Sequence, residues 1–150
     1  MSASSISIDR ERAQFRQLTI LVVEDHDDTR EMLRLLLELW GCRVVEACNG
    51  LEAVNTALRE RPRLILMDGS LPLIDGLEAT RRIRKTELRN QVNILALNGW
   101  GTSRYHEEAL AAGCDDSIEK PIDLDRLWKY LFRLCRPPQT FMATNACSAA

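Results

Sequence analysis

Five short apolar runs alternate with longer amphipathic stretches along the chain. In the longer stretches, apolar residues recur every three or four positions, which is the spacing of one face of a helix. Strands that alternate with helices in this way form a parallel sheet that is covered by helices on both faces. The pattern therefore predicts an α/β fold, a doubly wound (βα)5 domain with a five-stranded parallel sheet.

The apolar runs are the predicted strands. They cover Thr19–Val23, Arg43–Ala47, 64–67, 92–97 and 117–119. The first run is apolar throughout, as expected of a strand buried on both faces.

A predicted helix follows each strand. The helices begin near residue 28, after Asn49-Gly50, near Gly76, near residue 103 and near Leu124. Asp27 or Asp28 is expected to cap the first helix, and Gly41 to end it in the left-handed conformation. The inward faces are predicted to carry Met32, Leu33, Leu36, Leu37 and Trp40 in the first helix, Leu51, Val54, Ala57 and Leu58 in the second, and Leu124, Leu127, Trp128, Leu131, Leu134 and Cys135 in the last.

A chain of 150 residues is the size of one domain. We assign residues 18–135 to it, 1–17 to an N-terminal extension and 136–150 to a disordered C-terminal tail. No apolar run approaches the ~20 residues of a membrane span, and the N-terminus lacks the features of a secretory signal. The five cysteines show no C-x-x-C spacing. We therefore expect a cytoplasmic protein whose cysteines are thiols.

The charge of the chain is nearly balanced but unevenly distributed. A net charge of −2 does not give the basic surface typical of nucleic-acid binding, so direct binding to DNA or RNA is not expected. Four acids, however, follow the first strand within five residues: Glu24, Asp25, Asp27 and Asp28. This local excess is the first indication of a functional site.

Polar residues stand where the predicted strands end. Glu24 and Asp25 follow the first strand, Asp68 the third, Asn98 the fourth and Lys120 the fifth. Ligands of doubly wound sheets bind at these carboxyl ends. Two carboxylates 4 Å apart repel each other by about 4 kcal/mol at an effective dielectric constant near 20. A divalent cation relieves that repulsion, and ligands that are all oxygen favour Mg²⁺.

Four segments resemble the receiver domain of two-component response regulators. They are ILVVEDH at 20–26, LMDGSLP at 66–72, Asp75-Gly76 and Lys120-Pro121. The resemblance covers about residues 18 to 135, and it implies the flavodoxin-like strand order 2-1-3-4-5.

The resemblance also implies a function and its residues. Asp68 accepts a phosphoryl group from a phosphohistidine on a histidine kinase or a phosphotransfer protein. Mg²⁺ is held by Glu24, Asp25, Asp68 and the backbone carbonyl of Ser70. Lys120 pairs with the phosphoryl oxygens, and its bond to Pro121 is cis. Such a chain is a signalling acceptor and not an enzyme that turns over a separate substrate.

The implied output is a contact with a downstream protein or onward transfer of the phosphoryl group. The expected contact surface is the fourth helix, fifth strand and fifth helix, which carry Tyr105, His106, Glu107, Glu108, Lys129 and Tyr130. Whether the domain forms a homodimer is left open, and so is whether the chain was cut from a larger protein.

Two positions depart from the pattern of the family. Asn98 stands where receivers usually have threonine or serine, and Ser117 replaces an aromatic residue. We hypothesise that phosphorylation shifts the loop 98–103, with Asn98 as an atypical sensor and Trp100 or Tyr105 as the aromatic group. The bulk of Trp100 also predicts slow loss of the phosphoryl group. The alternative is a receiver-like interaction module that does not depend on phosphorylation, which the intact acids and lysine disfavour.

Three enzyme or cofactor classes fit the sequence less well. Aspartyl-phosphate hydrolases and Toprim enzymes need a second aspartate two residues after the first, where this chain has Ser70. A flavodoxin needs a phosphate-binding loop after the first strand. The acids at 24–28 would repel a phosphate there.

Overall fold

The strands and helices alternate along the chain. The computed structural model describes residues 9–10, 12–99 and 103–136. The strands are β1 (Thr19–Val23), β2 (Arg43–Ala47), β3 (Leu64–Asp68), β4 (Asn93–Asn98) and β5 (Asp116–Glu119). The helices are α1 (Asp27–Leu39), α2 (Gly50–Glu60), α3 (Gly76–Arg84), α4 (Ser103–Ala112) and α5 (Leu124–Cys135), with a short 3-10 helix at Glu87–Asn90.

The five strands form one parallel sheet in the order β2-β1-β3-β4-β5. This confirms the predicted fold class and strand order. The register pairs Val23 with Met67, and Asp68 with Leu97. The residues that follow β1 and β3 therefore meet at one edge of the sheet.

The core consists of two apolar layers, one on each face of the sheet. Alternate residues of β3 point into different layers: Ile65 and Met67 into one, Leu64 and Leu66 into the other. Side chains of α2, α3 and α4 complete the first layer, and those of α1 and α5 the second. This two-sided burial explains why β3 is an uninterrupted apolar run.

Several predicted inward positions are wrong. The exposed fraction is 55% for Met32, 39% for Leu51, 37% for Leu58 and 45% for Leu124. In α2, the buried positions are Gly50, Ala53, Thr56 and Ala57, which confirms Ala57 and adds three positions that were not predicted. A Cβ atom on Gly50 would collide with the backbone of Ile74. The helix therefore approaches its neighbours through small residues, and its leucines face outward.

The predicted cap of α1 is also wrong. His26 occupies the N-cap position, and its side chain makes no capping hydrogen bond. Asp27 lies within the first turn, where Arg30 Nη2 donates to its Oδ1 at 2.6 Å. At the other end of α1 the prediction is confirmed, because Gly41 has a φ of +104°.

The segment before β1 packs onto the layer formed by α1 and α5. Residues 12–15 are helical, and the Phe15 side chain is fully buried. Its ring lies 4.8 Å from that of Trp128, which in turn lies 5.0 Å from the ring of Trp40. Part of the predicted N-terminal extension thus contributes to the core.

Residues 137–150 of the predicted tail lie outside the described residues, so its predicted disorder stays a prediction. Among the helices that the structure describes, none has the length and apolar character needed to cross a membrane.

Candidate functional site

The polar residues predicted to meet do lie together at the carboxyl edge of the sheet. Glu24 directly follows β1, and its backbone N–H donates to the carbonyl of Ala47 at 3.1 Å. Asp68 is the last residue of β3. Lys120 directly follows β5, where its N–H donates to the carbonyl of Asn98 at 2.7 Å. Backbone hydrogen bonds of the sheet thus fix the Cα positions from which these side chains extend.

Lys120 lies between the two buried carboxylates. Its Nζ donates to Glu24 Oε2 at 3.1 Å and lies 3.4 Å from Asp68 Oδ1. The side chain of Glu24 is 1% exposed and that of Asp68 is 7% exposed. The peptide bond between Lys120 and Pro121 is cis, as the resemblance implied. One ammonium group therefore neutralises part of a buried pair of acids.

Burial and the neighbouring acid raise the pKa of Asp68. Burial, followed by hydrogen bonding to Glu24 and the negative charge of Glu24, raises the pKa of Asp68 to about 6. For Glu24, burial would raise the pKa, but hydrogen bonds with Asp68 and Lys120 and the charge of Lys120 lower it overall. The pair therefore favours one negative charge over two, as expected for adjacent carboxylates.

Asp25 provides the clearest test of whether a cation fits here. Its Oδ1 is shielded from solvent and accepts no hydrogen bond from any described residue. The His26 ring nitrogen lies 3.2 Å from this oxygen but forms no well-directed hydrogen bond to it. A shielded carboxylate oxygen without a well-directed donor is costly, and a divalent cation would satisfy it. The predicted ligands, namely the side chains of Glu24, Asp25 and Asp68 and the carbonyl of Ser70, all offer oxygen, which is the donor type that suits Mg²⁺.

The loop after Asp68 is held close to the site. Its Gly69 N–H donates to the carbonyl of Leu97 at 3.2 Å, and the N–H of Ser70 donates to Asp68 Oδ1 at 3.3 Å. The hydroxyl of Tyr105 lies against Gly69, so a Cβ atom at this position would require the tyrosine ring to shift. The loop thus orients the Asp68 carboxylate while leaving its outer side open to the cleft.

Two residues near the site had no predicted role. His26 and Arg104 both line the cleft that contains Asp68 and Lys120. His26 belongs to the quoted segment ILVVEDH, so its position was visible in the sequence. The placement of Arg104 depends on how α4 packs, which no sequence pattern indicates.

A family comparison decides the identity. The model of the response regulator receiver domain matches residues 20–132. The chain belongs to the response regulator receiver domain family. It is therefore a module of two-component signalling.

Relatives of this receiver domain occur in bacteria and in a eukaryote. It is 32% identical to the polar-differentiation response regulator DivK of Brucella anthropi over 108 residues, which is 72% of this chain and 88% of DivK. It is 37% identical to hybrid signal transduction histidine kinase G of Dictyostelium discoideum over 123 residues, 80% of this chain but 4% of that kinase. The family thus includes short regulators and segments of large kinases.

Solved receiver domains show the same fold. One is the receiver domain of a sensor histidine kinase of Pseudomonas aeruginosa, which has magnesium coordinated in its active-site cleft. It is 36% identical to this chain, with a TM-score of 0.72, and the match covers 79% of this chain and 97% of that one. Another is the receiver domain of Ssk1 in complex with the phosphotransfer protein Ypd1 of Saccharomyces cerevisiae, at 32% identity and a TM-score of 0.73 over 78% and 88% of the two chains.

Asn98 and Ser117 mark where this receiver domain departs from the pattern. Asn98 is buried and lines the same cleft as Asp68. Ser117 lies on β5, and its Oγ is 2.6 Å from Nδ1 of His106 on α4. A hydrogen bond between β5 and α4 therefore occupies the position of the usual aromatic ring. Trp100, the other predicted aromatic group, lies outside the described residues.

Proposed function

We propose that this receiver domain accepts a phosphoryl group on Asp68 and passes the signal on through protein contacts. The observation that carries the proposal is the buried Asp68 carboxylate at the end of β3, with Lys120 Nζ 3.4 Å from its Oδ1. A buried carboxylate that faces an open cleft beside an ammonium group is suited to nucleophilic attack on an anion.

The chemistry is one displacement at phosphorus. An Asp68 oxygen forms the new bond to phosphorus while the P–N bond of the donor phosphohistidine breaks, and the donor imidazole keeps that electron pair. Lys120 lies where it can neutralise charge on the phosphoryl oxygens as a point charge. The Ser70 N–H, bonded to Asp68 Oδ1 at 3.3 Å, orients the nucleophile.

Mg²⁺ is the proposed cofactor, and Glu24, Asp25, Asp68 and the Ser70 carbonyl would hold it. When bound, the ion neutralises charge that two anions bring together during phosphoryl transfer. The shielded Oδ1 of Asp25 supports this ligand set. So does the magnesium coordinated in the cleft of the Pseudomonas receiver domain.

The proposed donor is a histidine kinase or a histidine phosphotransfer protein, supported by the yeast complex of Ssk1 with Ypd1. The proposed output surface is α4, β5 and α5. We place the protein in the cytoplasm, where thiols persist. The four cysteines in the described part of the chain, at positions 42, 48, 114 and 135, are free thiols.

The second candidate is a receiver-like interaction module that works without phosphorylation. The hydrogen bond between Ser117 and His106 favours it, since it joins β5 to α4 in the unphosphorylated chain. The intact group of Glu24, Asp25, Asp68 and Lys120 favours the first candidate, because nothing in protein docking requires two buried acids on one half-buried lysine with a third acid beside them.

Intact-mass spectrometry after incubation with acetyl phosphate and Mg²⁺ separates the two candidates. We expect the wild-type chain to gain the mass of one phosphoryl group and the Asp68→Asn variant to gain none. Asp28→Asn is the matched control, because Asp28 is an exposed acid in the first turn of α1. If the wild type gains no mass with acetyl phosphate or with a phosphorylated phosphotransfer protein, the phosphoacceptor function is wrong.

A further inference from the structure

The His26 side chain turns toward the acids of the site although it could extend into solvent. Its Nδ1 lies 3.0 Å from Glu24 Oε1 and 3.2 Å from Asp25 Oδ1, while 76% of the side chain remains exposed. It does not serve as a helix cap, since it makes no capping hydrogen bond to α1. The ring nitrogen and two carboxylate oxygens thus face a common point.

Glu24 uses its two oxygens for different partners. Oε2 accepts from Lys120 at 3.1 Å, and Oε1 faces His26. Asp25 Oδ1, the shielded oxygen without a hydrogen bond from any described residue, faces the same ring nitrogen. One ligand atom from each of Glu24, Asp25 and His26 can be chosen so that all three lie within 4.8 Å of one another.

These separations match those between the ligands of a small metal ion. Metal–ligand bonds of about 2.1 Å place two ligands at right angles about 3.0 Å apart. The observed separations from His26 Nδ1 are 3.0 and 3.2 Å. An ion that contacts both oxygens on the side of the ring would therefore also be within bonding reach of the imidazole.

We propose that His26 is a direct ligand of the metal ion in this receiver domain and shifts the preference of the site from Mg²⁺ toward Ni²⁺. This inference rests on the proposed function only in taking the acidic cluster as a metal site. Mg²⁺ and Mn²⁺ prefer oxygen ligands, whereas imidazole is a good ligand for Ni²⁺. A nitrogen ligand therefore strengthens Ni²⁺ binding more than Mg²⁺ or Mn²⁺ binding.

Calorimetric titration with each metal alone measures this preference. We expect His26→Asn to weaken Ni²⁺ binding by about tenfold or more, and Mg²⁺ and Mn²⁺ binding by about threefold or less. His106→Asn is the matched control, because His106 is the other histidine of the chain and bonds Ser117. If His26 only hydrogen-bonds the acids, the variant changes the affinities for all three ions by the same factor, which would overturn the proposal.

Pulsed electron paramagnetic resonance of the Mn²⁺-loaded protein detects the ligand itself. We expect coupling of the manganese to an imidazole nitrogen in the wild type and in His106→Asn, and its loss in His26→Asn. If Mn²⁺ binds in an Asp25-dependent way without that coupling, His26 is not a ligand, while the proposed acidic site stands. If neither Mn²⁺ nor Mg²⁺ binds the wild type, both the inference and the metal site fail.

Discussion

At the residue scale, the buried charge of Asp68 has a high free-energy cost. It shares a water-poor edge of the sheet with Glu24, and Lys120 is the one cation within 4 Å of Asp68 among the described residues. Its pKa rises from 3.8 to about 6 because burial and the neighbouring acid disfavour the charged form. A group whose proton is held more tightly in the folded state weakens folding as that proton is lost. The nucleophile of the proposed reaction is therefore a destabilising residue.

Replacing this carboxylate should stabilise the metal-free domain. We expect Asp68→Asn to raise the free energy of unfolding at pH 7 by about 1–3 kcal/mol, since the neutral amide keeps the shape and loses the buried charge. Below about pH 4 the wild-type acid is protonated in both states, so the gain should disappear. The gain in the free energy of unfolding should grow between about pH 4 and 6 and stay constant above that range. Urea unfolding at a series of pH values, with chelator present, measures it.

Asp28→Asn is again the control, because Asp28 is exposed and the same charge is removed. An equal gain in that variant would assign the effect to net charge and not to the buried pair. A gain for Asp68→Asn that persists unchanged to pH 3 would also contradict this explanation.

The positions of the charged residues at the strand ends could be predicted from the sequence better than the side chains that surround them. Glu24, Asp25, Asp68 and Lys120 could be placed because a parallel sheet brings strand ends to one edge whatever the side chains do. The contacts of His26 could not be predicted, since they depend on a rotamer chosen by two neighbouring carboxylates. Arg104 lines the cleft because of how α4 lies against the sheet, which residue spacing does not reveal.

At the scale of elements, the segment before β1 shows how packing extends a domain. Phe15 is fully buried in the layer formed by α1 and α5, with its ring edge-on to Trp128. No pattern in the sequence indicates this burial, because a single phenylalanine in a polar stretch has no periodicity. The faces of α2 were misassigned for a related reason. Leucines suggested an inward stripe beside Ala57, but close helix packing buries Ala53 together with Ala57.

Phe15 should contribute to stability as a core residue does. We expect Phe15→Ala to lower the free energy of unfolding by about 3 kcal/mol, since the truncation loses buried apolar area and leaves a cavity. Phe15→Leu should recover a large part of that loss because it refills most of the volume. Thermal and urea unfolding measure both variants.

Leu39→Ala is the control for this experiment, because Leu39 is 63% exposed on α1. Phosphorylation of Phe15→Ala by acetyl phosphate, below its unfolding temperature, should match the wild type, since the segment packs on α1 and α5 and not on the cleft. A loss of stability no larger than that of Leu39→Ala would mean that the segment is not part of the folded core.

At the scale of the whole molecule, Asn98 connects the proposed phosphorylation site with the proposed output surface. It lines the cleft around Asp68 and also a second groove between α4 and β5, together with His106 and Ser117. Its carbonyl accepts from the N–H of Lys120 at 2.7 Å, which connects it to the residue that we propose pairs with the phosphoryl group. A signal can therefore pass from the cleft to the groove through one residue, without an aromatic ring that moves inward.

Backbone chemical shifts of the apo form and of the form bound to beryllofluoride and Mg²⁺ test this route. We expect changes near Asp68 and Lys120 and also along α4 and β5, including His106 and Ser117, because the hydrogen bond between the last two must adjust when Asn98 moves. Asn98→Ala removes the amide while leaving Asp68 and Lys120 in place. In that variant the changes should be confined to the cleft. Changes confined to the cleft in the wild type would contradict the route and favour an interaction module that does not depend on phosphorylation.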